Sequence, residues 1–141
     1  MPINRRDSGT GNIRSFEELC HAVREAHALR VPVFLTLNGQ TYTEGQVAFL
    51  RGYCFRAVEE AEVDGFLVSD PALLFLLKEW LPHTDIHISS MAALHNSMAV
   101  RFFHDLGAKR VVLPRQITVP EVATIHRRAP EKTGSVASLQ G

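Results

Sequence analysis

DIHISSMAALHNSMAVRFFHDLGAKRVVLPR, residues Asp85 to Arg115, is the stretch from which the fold can be read. Ile86 to Ser90 is short, alternating and β-branched, which predicts a strand. Ala92 to Leu106 carries apolar residues at helical spacing, and Gly107 supplies the stop. Arg110 to Pro114 predicts a second short strand, with Arg115 just past its apolar core. Two strands joined by a crossover helix lie parallel, so this is a βαβ unit.

The flanking sequence repeats the unit. Ser15 has the character of an N-cap, with Glu18 completing a capping box for a helix from Phe16 to Leu29. Val31 to Asn38 predicts a strand, with Pro32 tolerated at its start, and Asn38-Gly39 begins a turn. Thr43 to Glu62 predicts a long helix with an apolar stripe of Val47, Leu50, Cys54 and Val58. Its glycines, Gly45 and Gly52, make it depend on packing. Gly65 to Ser69 is the next strand, and Asp70-Pro71 caps and starts the helix Ala72 to Leu81. Thr118 and Pro120 start a last helix that runs to about Arg128. Residues 1–14 are polar and read as a flexible segment. Residues 129–141 are rich in proline, glycine and serine and read as a disordered tail, so residues 15–128 hold the folded domain.

Strands that recur every 25 to 35 residues, with helices between them, predict parallel α/β architecture. Two folds fit: a partial TIM-type (βα)8 barrel, or a small doubly wound open sheet. An intact barrel needs roughly 200 residues or more, and this chain has 141. Alternation assigns Val33, Leu35 and Leu37 to one face of the first strand, and Phe34, Thr36 and Asn38 to the other. In the third strand Ile86 and Ile88 oppose His87, Ser89 and Met91. In the fourth, Val112 and Pro114 oppose Val111, Leu113 and Arg115. One apolar face, with a second face turning polar toward the C-terminal end, is the pattern of a barrel with its site at that mouth.

Composition narrows the function. Lysine plus arginine equals aspartate plus glutamate at 15 each, so no global field draws in nucleic acid or a membrane surface, although a local patch can hide in a neutral total. The aromatic residues are scattered and form no basic stripe, so nucleic acid is not an expected partner. No apolar run is long enough to span a bilayer, and the N-terminus lacks a signal-peptide core. A cytoplasmic location is therefore expected. The two cysteines, Cys20 and Cys54, sit in helical patterns as small core residues. No paired His/Cys spacing suggests a metal site, and no cofactor is expected in this chain.

The candidate site is at the strand ends. Asn38, Asp70, Ser89 and Arg115 gather at one rim in a parallel fold, and they are the expected substrate-binding residues. Asn38 is equally a turn residue, and Asp70 reads first as an N-cap before Pro71. Arg115 can clamp a carboxylate or phosphate. Ser89-Ser90 lacks the glycine-flanked elbow of a nucleophilic serine, and no catalytic nucleophile is assigned. His87, between isoleucines, reads as a hydrogen-bonded lumen residue.

Together, SFEEL at Ser15 to Leu19, VPVFLTLN ending at Asn38, DGFLVSDPALL at Asp64 to Leu74, and the stretch from Ile86 to Arg115 resemble peptidase family U-32, the collagenase-like proteases. The likeness runs from about Asn12 to Ile125. VVLPR is similar to the branch that supports ubiquinone hydroxylation, whose relatives act in hydroxylation of transfer or ribosomal RNA. The resemblance implies a TIM-type barrel, of which these would be the third to sixth strands. It also implies a cytoplasmic bacterial protein with peptidase or hydroxylation activity. The family's cysteine-bearing signature, which holds an iron–sulfur cluster in the hydroxylation branch, lies downstream of Arg128 and is not matched by Cys20 or Cys54. Met91 stands where many relatives have glutamine. The expectation is a truncated family member acting on a peptide or small molecule. The alternative is a non-catalytic half barrel that associates with itself or with a second chain.

Overall fold

The computed structural model describes residues 13–39, 42–92, 94–129 and 134–137. The segments expected to be flexible at residues 1–12, and in the tail at residues 130–133 and 138–141, lie outside the described residues. The elements alternate as α1 (Phe16–Ala28), β1 (Phe34–Leu37), α2 (Glu44–Glu59), β2 (Gly65–Val68), α3 (Pro71–Trp80), β3 (Asp85–Ile88), α4 (Ser97–Asp105), β4 (Arg110–Leu113), α5 (Val119–Arg128) and β5 (Gly134–Ala137).

All five strands are parallel, in the order β1-β2-β3-β4-β5. A doubly wound sheet reverses its order at a switch point, and this order never reverses. The topology is that of a barrel arc, and the doubly wound alternative does not describe it. Right-handed crossovers between strands laid down in one direction put every connecting helix on the same face.

Burial follows from that. Leu37, Val68, Ile88 and Val111 are neighbours across four strands, and each is fully buried beneath the helices. The row one residue earlier, Thr36, Leu67, His87 and Arg110, faces the opposite side: Thr36 and Leu67 are partly covered, Arg110 is exposed and His87 is buried. The fourth strand corrects the sequence reading. Pairing of His87 with Arg110 and of Ile88 with Val111 puts Val111 and Leu113 in the core and Val112 on the lumen face. Alternation alone had the two faces of β4 exchanged, because four apolar or basic residues in a row carry no phase.

Side chains end the helices where the sequence placed them, with two differences. Thr43 and Gln46 form a reciprocal capping box on α2, and Asp70 Oδ1 accepts the Ala72 N–H at 2.9 Å. Ser15 Oγ accepts the Glu18 N–H at 3.1 Å, but the Glu18 carboxylate takes the Arg14 N–H instead of returning to Ser15. Helix α4 starts at Ser97 rather than Ala92, because Asn96 caps it through the Ala99 N–H at 2.9 Å. Gly107, at φ 93°, ends it as expected. Strand β5 runs through part of the segment read as disordered, in register with Arg110–Leu113.

The lumen face is organised around a missing side chain. Gly65 lies between Phe34 on β1 and Asp85 on β3. A Cβ there would strike the Asp85 carbonyl oxygen and come within 2.8 Å of the Phe34 ring. With that space open, Phe34 leans across β2 and stacks on His87, the ring centroids 4.1 Å apart and the planes 23° apart. Burial holds the His87 imidazole below the ordinary histidine value of 6.5, helped by Arg110 and Lys109 and opposed by Asp85. At the N-terminal edge of the sheet, Asp64 accepts hydrogen bonds from His27 Nε2 at 2.9 Å and from the Val33 N–H at 2.6 Å.

Two glycines should respond oppositely to alanine. Gly52 is exposed in α2, and a Cβ there meets nothing, so Gly52→Ala raises the urea midpoint, by about 1 kcal/mol of stability. Gly65→Ala lowers it, by about 1–3 kcal/mol, because the neighbours that must give way are a backbone carbonyl and a stacked ring. The His87 shift sets a pH window. Its folded value lies below its unfolded one, so the unfolded chain binds the proton first and stability falls as pH drops below about 6.5. Urea melts at pH 7.5 and 5.5 show this loss in the native chain, and His87→Phe, which keeps a ring on Phe34, reduces it.

Candidate functional site

One residue beyond the registered row of Leu37, Val68 and Ile88 come Asn38, Ser69 and Ser89. Alternation turns this next row away from the helices, at the C-terminal rim of the sheet. All three are buried, at 8%, 6% and 5% exposure. Two of the four expected site residues, Asn38 and Ser89, thus share a row, and the third member is Ser69 rather than Asp70.

Each has a different local role. Ser89 is knitted into a turn. Its N–H donates to the Val68 carbonyl at 2.7 Å, its carbonyl accepts the Ala92 N–H at 3.0 Å, and its Oγ accepts the Met91 N–H at 3.4 Å. Asn38 Nδ2 donates to the Met91 thioether at 3.6 Å, a weak acceptor. The Ser69 Oγ is enclosed and has no hydrogen-bond partner among the described residues. A buried hydroxyl left unpaired costs about 1–3 kcal/mol, and what completes such a group is a ligand atom or a water.

Asp70 and Arg115 stand beside the row, not in it. Asp70 spends one carboxylate oxygen on the cap of α3. Arg115 is exposed in the turn from Pro114 to Ile117, where the Ile117 N–H meets the Pro114 carbonyl at 3.2 Å. The β4 residue that follows Val111 into the row is Val112.

Tyr42 is a rim residue that sequence reading passed over. Its hydroxyl donates to the Leu37 carbonyl at 3.2 Å, and its ring packs where a Gly39 Cβ would sit. Burial pushes the phenol above its ordinary value of 10, nearby Asp70 adds to this, and a hydrogen bond at the Gly39 backbone opposes it. The phenol stays protonated and remains a donor. An aromatic residue four positions after Asn38, beyond an Asn-Gly turn, was the available signal.

The rim therefore offers neutral donors and acceptors, with one carboxylate and one guanidinium beside them. Groups of this kind can bind and orient polar groups by hydrogen bonding. Cys54 is fully buried, and burial pushes its thiol up to about 12, which keeps it protonated. Among the described residues no group of three or more His, Cys, Asp or Glu side chains is placed to hold a metal ion. Iron–sulfur clusters are held mostly by four thiolates. Two cysteines, one with so reluctant a thiol, do not fit that group. No described helix is long and apolar enough to cross a membrane.

Comparison with known proteins agrees with this geometry. The profile of Peptidase family U32 matches residues 2–136. The Escherichia coli (strain K12) protein named tRNA hydroxylation protein P is 30% identical over 115 residues, which cover 82% of this chain and 25% of that protein. Its namesake in Helicobacter pylori (strain J99) is 28% identical over 117 residues, covering 83% and 27%. In Haemophilus influenzae the figures are 29% over 109 residues, 77% and 23%. The chain spans about a quarter of the length of these curated relatives. A solved structure described as the U32 peptidase Mk0906 superposes with a TM-score of 0.72 at 20% identity, over 89% of this chain and 53% of that one. That likeness establishes the shared fold. With the profile matched along nearly its whole length, the chain belongs to peptidase family U32.

Proposed function

We propose that this chain serves tRNA hydroxylation, with Asn38, Ser69 and Ser89 binding the polar edge of the nucleoside to be modified. The observation that carries the reading is the unpartnered, buried Ser69 hydroxyl within a row of uncharged hydrogen-bonding groups. A nucleobase is itself a planar set of neutral donors and acceptors, and such a row complements it. The names of the curated relatives support the same direction.

Peptide hydrolysis, which the family name suggests, has less support at this rim. The Ser89 hydroxyl accepts a backbone N–H, and the Cys54 thiol stays protonated. A nucleophile needs an adjacent base or a depressed pKa, and burial moves Cys54 the opposite way.

A second reading has its own observation. Each outer strand, β1 and β5, has one neighbour in the described sheet, and the lumen residues Phe34, Thr36, Leu67 and Val112 are only partly covered. Open edges and a half-covered face favour pairing with another copy or a second chain. Light scattering on a sizing column reads this directly, as a dimer whose fraction rises with concentration.

The main reading is tested in cells lacking a full-length tRNA hydroxylation relative. Expression of this chain should restore tRNA nucleosides heavier by one oxygen atom, read by liquid chromatography and mass spectrometry. Soluble, folded chain with no such gain overturns the reading, and catalytic cleavage of gelatin by the purified chain replaces it with the peptidase one. Ser69→Ala separates binding from folding. It leaves stability unchanged or raises it by about 1 kcal/mol, since it removes an unpaired buried hydroxyl, and it lowers the nucleoside yield.

A further inference from the structure

The helix layer carries chemistry that the rim does not use. Met98, Arg101, Phe102 and Asp105 recur at spacings of three and four along α4, so they share one face of it. The opposite face of α4 is in the core through Val100 and Phe103. This outer face lines a groove of about 770 Å³, closed on its other side by Arg127, Arg128 and Ala129 at the end of α5. Met98 is 81% exposed and Phe102 51%, large apolar groups left uncovered. A second cleft of about 280 Å³ shares Ser97 and Arg128 with the first and continues past Asn96 and Pro120. Asn96, Ser97 and Pro120 lie at the N-terminal ends of α4 and α5, which follow the C-terminal ends of β3 and β4. The trough therefore opens toward the rim.

Its charge is concentrated and unspent. Three arginines meet two carboxylates: Asp105, which already sits 3.3 Å from His104 Nδ1, and Glu121, whose carboxylate is held by Thr118 at the start of α5. Arg127 donates to the neutral Thr124 hydroxyl at 3.2 Å. Arg101 and Arg128 are exposed and make no ion pair among the described residues. Arginines at the end of α5 also complement its dipole. That does not account for Arg101, which is in the middle of α4. The chain as a whole is neutral, so this positive charge is local.

Guanidinium groups with an exposed ring between them suit a sugar–phosphate backbone with an unstacked base. We propose that the α4–α5 trough binds the backbone of tRNA and leads it to the rim. The choice of tRNA rests on the function proposed above. Arg101, Arg127 and Arg128 neutralise phosphates, and Phe102 offers a stacking face.

The test is fluorescence anisotropy of an unmodified tRNA transcript with the whole chain, between 50 and 200 mM KCl. The variants are Arg101→Glu with Arg128→Glu, Phe102→Ala, and Arg24→Glu on α1 as a control. All of these positions are exposed, and circular dichroism confirms that each variant folds. The double variant should bind at least about tenfold more weakly, and the slope of log affinity against log salt should shrink by about two. Phe102→Ala should weaken binding and leave the slope unchanged, and Arg24→Glu should change neither. Native binding that survives the double variant overturns the trough and leaves the tRNA reading standing. Absent native binding overturns the trough too, and the nucleoside assay then decides whether the tRNA reading falls with it. Capture by phosphatidylserine vesicles in place of tRNA overturns the proposal in favour of a membrane surface.

Discussion

The four helices that connect the described strands, α2 to α5, belong on one face of the sheet, because right-handed crossovers between strands laid down in a single direction all return on the same side. The other features follow from that asymmetry. One face is packed to completion by Leu37, Phe66, Val68, Ile86, Ile88, Val111 and Leu113. The other must be furnished by the strands alone. Gly65 makes this workable at the lower end, where its missing side chain lets Phe34 reach His87 and cover part of the face with two rings. At the upper end the side chains turn polar but stay buried, and there the rim row forms.

The rim and the trough answer different needs. The rim row is uncharged and enclosed, and Ser89 in it is held to backbone, so it can discriminate by hydrogen-bond pattern. The trough is open, cationic and flanked by exposed apolar groups, so it can hold a long anionic chain without reading it. On the proposed reading the arrangement separates affinity from selection, and the N-termini of α4 and α5 lie between the two because they follow the ends of β3 and β4.

The parts of this fold visible in the sequence were those fixed by local chemistry. Ser15, Thr43, Asp70 and Gly107 mark helix ends because a cap or a stop depends on neighbouring residues. What depended on pairing was harder to see. The phase of β4 is set by His87 meeting Arg110, a partner far away in sequence. The same holds for Ser69, whose place in the row beside Asn38 comes from strand register, while the more conspicuous Asp70 next to it serves the helix. Strand β5 is formed by glycine, serine, valine and alanine, a composition that gives no strand signal until β4 supplies an edge. The charge of the α4–α5 trough was averaged away in a net of zero.

The buried thiol of Cys54 has a consequence for durability. Burial pushes its thiol up to about 12, so at neutral pH the group stays protonated and little thiolate forms. Peroxide and electrophiles attack that form, and Cys54 has no surface through which to meet them. The centre of α2 is thereby insulated from oxidants in the surrounding solvent. A sulfur atom can fill the core there without becoming its point of damage.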